Sequence, residues 1–85
     1  MERLYDLKDK EVINITDGSR LGFVADMEFC PKTGKVDAII IPGPGKMFGL
    51  FGHSQEFRVK WDDIEQIGDD FIIIKADPED ILVEL

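Results

Sequence analysis

The amino-acid sequence predicts an all-β fold, a small β-barrel of five to six strands with one short helical turn. Three observations carry that expectation. Apolar, β-branched runs of strand length recur along the chain, as in Val12-Ile13-Asn14-Ile15, Ile39-Ile40-Ile41 and Ile72-Ile73-Ile74. Other segments alternate apolar and polar residues at period two, the mark of a half-buried strand. Glycine-bearing turn signals separate these segments at short intervals. Short strands spaced in this way in a small chain curl into a barrel, which leaves few sheet edges exposed.

The elements follow in order. Glu11 to Ile15 is the first strand. Thr16-Asp17-Gly18-Ser19 comes next, and Asp-Gly between apolar runs is a hairpin signal because Gly accepts positive φ and Asp bonds its own backbone. From Arg20 to Phe29 the pattern places Leu21, Phe23, Ala25, Met27 and Phe29 on one face, with Gly22 as a candidate bend or bulge. Pro31 to Lys35 forms a second turn around Gly34. Val36 to Pro42 is apolar on both faces at Ile39-Ile40-Ile41 and is expected to be covered on both sides.

Residues 43–54 read as a loop. Phe57, Val59 and Trp61 alternate with charged residues in a further strand, and Trp61 is expected to be largely buried against Ile64 and Ile67. Residues 62–68 read as the helical turn, because Ile64 and Ile67 are three apart, acids precede them and Gly68 closes the segment. Phe71 to Lys75 is a buried strand, Asp77 to Asp80 a turn, and Ile81 to Leu85 a candidate final strand. The expected organisation is one domain over 1–76 and an acidic and apolar extension over 77–85.

Composition narrows the function. The 85 residues suffice for one domain. No apolar run approaches the length of a membrane-spanning helix. Met1 to Asp6 lacks the basic and apolar regions of a signal peptide, and a single cysteine cannot staple a secreted mini-domain. The expectation is a cytoplasmic protein, and the glycosylation pattern Asn14-Ile15-Thr16 is then a chance match. The net charge of −8 argues against nucleic acid as a main partner. The charge is unevenly spread: −3 over residues 1–30, +3 over 31–60 and −8 over 61–85. A basic middle and an acidic last third predict electrostatic complementarity, within the fold or toward a partner.

Few residues carry reactive chemistry. Cys30 and His53 are the sole cysteine and histidine, and a nucleophilic pair would need a third group to orient the base. Zinc sites want several such ligands at characteristic spacing. The acids at Asp17, Asp62-Asp63 and Asp69-Asp70 do not fit the twelve-residue calcium loop. Gly45-Lys46 is followed by Met47 where a phosphate loop needs Ser or Thr, and Gly43-Pro44-Gly45 lacks the βαβ setting of a dinucleotide fingerprint. The expectation is therefore a non-enzymatic protein without metal or cofactor.

The sequence resembles the PRC-barrel domain family. The resemblance rests on Val12-Ile13-Asn14-Ile15, Asp17-Gly18 and Leu21-Gly22-Phe23-Val24-Ala25-Asp26 at the start. It continues through Val36 to Gly43, Phe57 to Ile64, Ile67-Gly68 and Asp70 to Ile74, covering roughly residues 3–76. It is similar to the small stand-alone YlmC/YmxH type associated with sporulating bacteria. One departure is Arg58-Val59-Lys60-Trp61, where that group often carries an apolar residue and proline before the tryptophan. Other PRC barrels occur in the photosynthetic reaction-centre H subunit and the ribosome-maturation factor RimM. The resemblance thus implies a docking module used in different assemblies, with no binding motif to carry over.

The barrel does not by itself account for the loop. Met47, Phe48, Leu50 and Phe51 are large apolar residues set among glycines, a cluster that surface loops avoid. The loop either folds back as a lid on the barrel or contacts a partner. The leading expectation is a protein-interaction module that binds another protein through these four residues and forms a weak homodimer. The alternative is a small-ligand or metal-binding barrel to which the acidic last third contributes oxygens.

Overall fold

The computed structural model describes residues 1–43 and 55–84. A one-and-a-half-turn helix, α1 (Leu4–Lys8), precedes β1 (Glu11–Asn14), β2 (Ser19–Phe23), β3 (Asp26–Phe29) and β4 (Val36–Pro42). After the undescribed segment come β5 (Gln55–Lys60), a single 3-10 turn (Trp61–Asp63), β6 (Ile64–Ile67), β7 (Phe71–Ile74), the short helix α2 (Pro78–Ile81) and β8 (Leu82–Glu84). The strands form two four-stranded sheets, in the orders β2-β1-β7-β6 and β3-β4-β5-β8. The all-β expectation holds, with eight strands among the described residues in place of five to six.

The core lies between the sheets. Val12, Ile72 and Ile74 from the first sheet and Ile39, Ile41 and Val59 from the second are fully buried in one cluster. Leu7 from α1 and Ile81 from α2 join them. The expected two-sided burial of β4 is borne out at Ala38, Ile39, Ile40 and Ile41. β8 pairs antiparallel with β5, as the expected final strand. The hairpin turn between β1 and β2 also forms as expected, with the Asp17 carboxylate accepting from both the amide and the hydroxyl of Ser19.

The stretch from Arg20 to Phe29 does not form one strand. It divides at Val24-Ala25 into β2 of one sheet and β3 of the other. Val24 is buried and Leu21 and Met27 pack against the core, whereas Phe23 and Phe29 are 51% and 60% exposed, so the expected apolar face is split between core and solvent. The cause is a bulge. The register runs Val12↔Gly22 and then Ile13↔Arg20, leaving Leu21 as an extra residue. Gly22 has φ +112°, a conformation that a side chain disfavours, and the expected bend is there.

The helical turn is likewise displaced. Helical geometry is confined to Trp61–Asp63, and Ile64–Ile67 is a strand. The pairs Ile64↔Ile74 and Ile67↔Ile72 face the core because a bulge at Glu65 inserts an extra residue between them. Two isoleucines three apart therefore share a face in a strand, which imitates helical spacing. Trp61 is half-buried rather than largely buried, packing against the cluster from its margin.

One polar side chain belongs to the core. Asn14 is fully buried. Its Nδ2 donates to the Ala76 carbonyl at 2.8 Å, and its Oδ1 accepts from the amides of Ala76 at 3.3 Å and Thr16 at 3.1 Å. It pins the chain leaving β7 to the end of β1. With no exposed surface, the Asn14 side chain has no room for a glycan.

Candidate functional site

The four expected contact residues, Met47, Phe48, Leu50 and Phe51, lie outside the described residues, as does His53. The strands on either side of that segment are described. β4 and β5 are antiparallel neighbours, paired to Pro42↔Glu56, and the Gly43 amide donates to the Gln55 carbonyl at 2.8 Å. The segment therefore begins and ends at one corner of the second sheet. A Cβ on Gly43 would stand 2.7 Å from the Gln55 carbonyl group, so the close approach requires glycine. Beside this corner lies a groove of about 420 Å³ between Leu21, Gly22 and Phe23 of β2 and Pro42, Gly43 and Phe57.

A second cleft, of about 500 Å³, lies between β5 and the α2 region. Arg58 and Lys60 from β5 and Lys75 after β7 line it together with Asp63, Asp77 and Asp80. The Asp77 side chain is already engaged, accepting from the Glu79 amide as the N-cap of α2. The basic middle and acidic last third thus meet in part within the fold.

On the outer face of the second sheet, complementarity takes a different route. Arg58 on β5 and Glu28 on β3 flank β4 and meet over it, with Nε to Oε1 at 2.6 Å. Their register neighbours on β4, Ile40 and Ala38, are 8% and 0% exposed. The ion pair and its aliphatic stems roof two apolar residues that would otherwise face water.

Cys30 sits at the β3–β4 turn, partly exposed. The Thr33 hydroxyl, followed by the amides of Thr33 and Lys32, holds its thiol below the ordinary value. Arg20 and Glu11 form a two-pronged pair on the first sheet, with Nε to Oε2 at 3.1 Å, which raises the guanidinium pKa further. Lys10 is buried, with its ammonium donating to the Glu2 carboxylate and the Gly68 carbonyl. Among the described residues no three of His, Cys, Asp and Glu gather as metal ligands would, and no helix is long and apolar enough to cross a membrane.

The residue that sequence reasoning missed is Asn14. Its signal was present. Val12 and Asn14 occupy the same face of a four-residue strand, and a polar amide beside a core valine needs hydrogen-bond partners.

Two facing sheets, bridged where β2 runs into β3 and carrying clefts at their corners, define a small barrel-type scaffold. The chain belongs to the PRC-barrel domain family, whose model matches residues 1–81. It is 36% identical over 75 residues to the "Probable sporulation protein YlmC" of Bacillus subtilis (strain 168), covering 88% of this chain and 93% of that protein. It is 37% identical over 79 residues to the "Uncharacterized protein YmxH" of the same organism, covering 91% and 92%. An uncharacterized protein of Clostridium acetobutylicum is 37% identical over 71 residues, covering 84% of this chain and 80% of its own length.

Proposed function

We propose that this protein is a non-enzymatic docking module that binds another protein in the cytoplasm, in a process associated with sporulation. The observation that carries the reading is the apolar set Met47, Phe48, Leu50 and Phe51, in a segment whose two ends are hydrogen-bonded together at Gly43 and Gln55. A segment anchored this way leaves and rejoins the sheet at one corner, next to a groove lined by Leu21, Phe23 and Phe57. Large apolar side chains supply the anchors on which protein contacts depend. Similarity over most of the chain to a protein named for sporulation supports the process.

The test is affinity capture from a native extract, comparing wild type with Phe48→Ala/Phe51→Ala. The reading expects one or a few proteins to be retained by wild type and lost with the double variant. Identical sets on both would refute the loop as the contact. Self-association through the same residues is checked by sedimentation equilibrium: wild type forms a weak dimer that Phe48→Ser/Phe51→Ser abolishes.

A second reading, a small-ligand barrel, draws on the cleft of Arg58, Lys60 and Lys75 facing Asp63 and Asp80. Mixed charges in one cleft suit a small ligand bearing both signs. Thermal melts with amino acids, and with calcium or zinc for the metal form of this reading, decide it. A midpoint rise of several degrees at modest concentration supports the reading, and unchanged melts refute it.

A further inference from the structure

The outer face of the first sheet is unusually apolar for a face turned to solvent. Register places Phe23, Glu11 and Phe71 in one row across β2, β1 and β7, and Arg20, Ile13 and Ile73 in the next. Residues paired in register share a face, so Phe23, Phe71, Ile13 and Ile73 stand on one surface. Phe23 is 51% exposed and Phe71 43%. A sheet with one face on the core ordinarily presents polar residues on the other.

The charges around this surface are unequal in their engagement. Two of the cations at or near it are already taken: Arg20 by Glu11, and Lys10 by Glu2 and the Gly68 carbonyl. Asp9, Asp69 and Asp70 are exposed and have no cation within ion-pair distance among the described residues. They adjoin the Phe row, since the Glu11 amide donates to the Asp70 carbonyl at 3.0 Å. An apolar surface edged by unpaired carboxylates complements a segment with apolar residues on one side and Lys or Arg on the other. A second copy of this chain would instead bring the same carboxylates and a further net charge of −8.

We propose that the outer face of the first sheet docks a basic amphipathic segment of a partner protein, with apolar side chains on Phe23, Phe71, Ile13 and Ile73 and cations on Asp9, Asp69 and Asp70. The inference rests on the docking-module reading but uses a surface other than the loop. The partner's apolar side chains span the gap between the two phenylalanines, which stand two strand spacings, about 10 Å, apart. The contact weakens with salt, because the rim is exposed to solvent.

The test uses a fluorescein-labelled amphipathic Leu/Lys peptide, with a Leu/Glu peptide and a Ser/Lys peptide as controls, and fluorescence anisotropy as readout. Wild type binds the Leu/Lys peptide, and Phe23→Ser/Phe71→Ser and Asp69→Asn/Asp70→Asn each weaken it about tenfold or more. Phe48→Ala/Phe51→Ala leaves it unchanged. Amide shifts in wild-type protein map the peptide to β1, β2 and β7, a readout that depends on no variant folding. No binding of the Leu/Lys peptide, equal binding of either control, or shifts elsewhere would overturn the proposal. So would loss on the loop variant alone, which would leave the docking-module reading intact. Sedimentation that shows a dimer broken by Phe23→Ser/Phe71→Ser would assign the surface to a second copy and overturn the basic partner.

Discussion

Replacing Asn14 with alanine removes all three of its side-chain hydrogen bonds, and the structure says what each loss costs. Thr16 is exposed, so its amide turns to water at little expense. Ala76 is only 9% exposed, and both its amide and its carbonyl lose their partner. A buried polar group left unsatisfied costs about 1–3 kcal/mol, giving about 2–6 kcal/mol for the pair. A domain of this size is stable by only about 5–10 kcal/mol, so Asn14→Ala leaves it marginal. Urea unfolding followed by Trp61 fluorescence measures the loss. Asn14→Asp sharpens the test. The new carboxyl is buried, which raises its folded pKa above the unfolded value. The proton it then carries restores a donor for the Ala76 carbonyl. Stability of this variant is therefore highest below the unfolded pKa and is lost as pH rises through the folded one. A loss under about 1 kcal/mol for Asn14→Ala, or an Asn14→Asp variant that grows more stable with rising pH relative to wild type, would refute the claim that this amide pins the chain after β7.

Trp61→Ala lowers stability by about 1–3 kcal/mol, less than a fully buried aromatic, because the ring is only half-buried; denaturant midpoints measure it. Gly43→Ala destabilises by about 1–3 kcal/mol, since its Cβ would meet the Gln55 backbone at 2.7 Å, and the same titration detects it. Cys30 alkylation by iodoacetamide follows a pH profile centred below that of an ordinary thiol, and Thr33→Val shifts the profile upward. Because the folded thiol pKa is depressed, its contribution to stability is present above the unfolded pKa and is lost as pH falls through the folded one.

What could be read from the sequence was whatever is decided locally. The bounds of β4 follow from an apolar run between a glycine turn and a proline, and the β1–β2 turn follows from Asp17-Gly18. What could not be read was decided by partners distant in the chain. Phe23 looks like a core residue until Val12 pairs with Gly22 and the bulge at Leu21 turns the phenylalanine outward. Ile64 and Ile67 look helical until Ile72 and Ile74 draw both to one face. α1 was missed because Leu7 is its one buried residue, too little to produce a periodic pattern. In the candidate site, the apolar cluster around Phe48 stood out by composition alone. The face carrying Phe23 and Phe71 did not, because only the parallel pairing of β1 with β7 brings them to one row.

That parallel pairing has a consequence for synthesis. β1 takes β2 as one neighbour almost at once, but its other neighbour is residues 71–74, and Asn14 waits for Ala76, 62 positions on. At about 5–20 residues per second, the ribosome needs roughly 3–12 s to make the intervening chain. Through that interval the nascent β1–β2 hairpin holds an open strand edge beside Val12, the kind of edge that recruits other chains. Folding of the first sheet thus waits for residues 71–76, and a pause in the codons before Phe71 would lengthen the exposure of that edge.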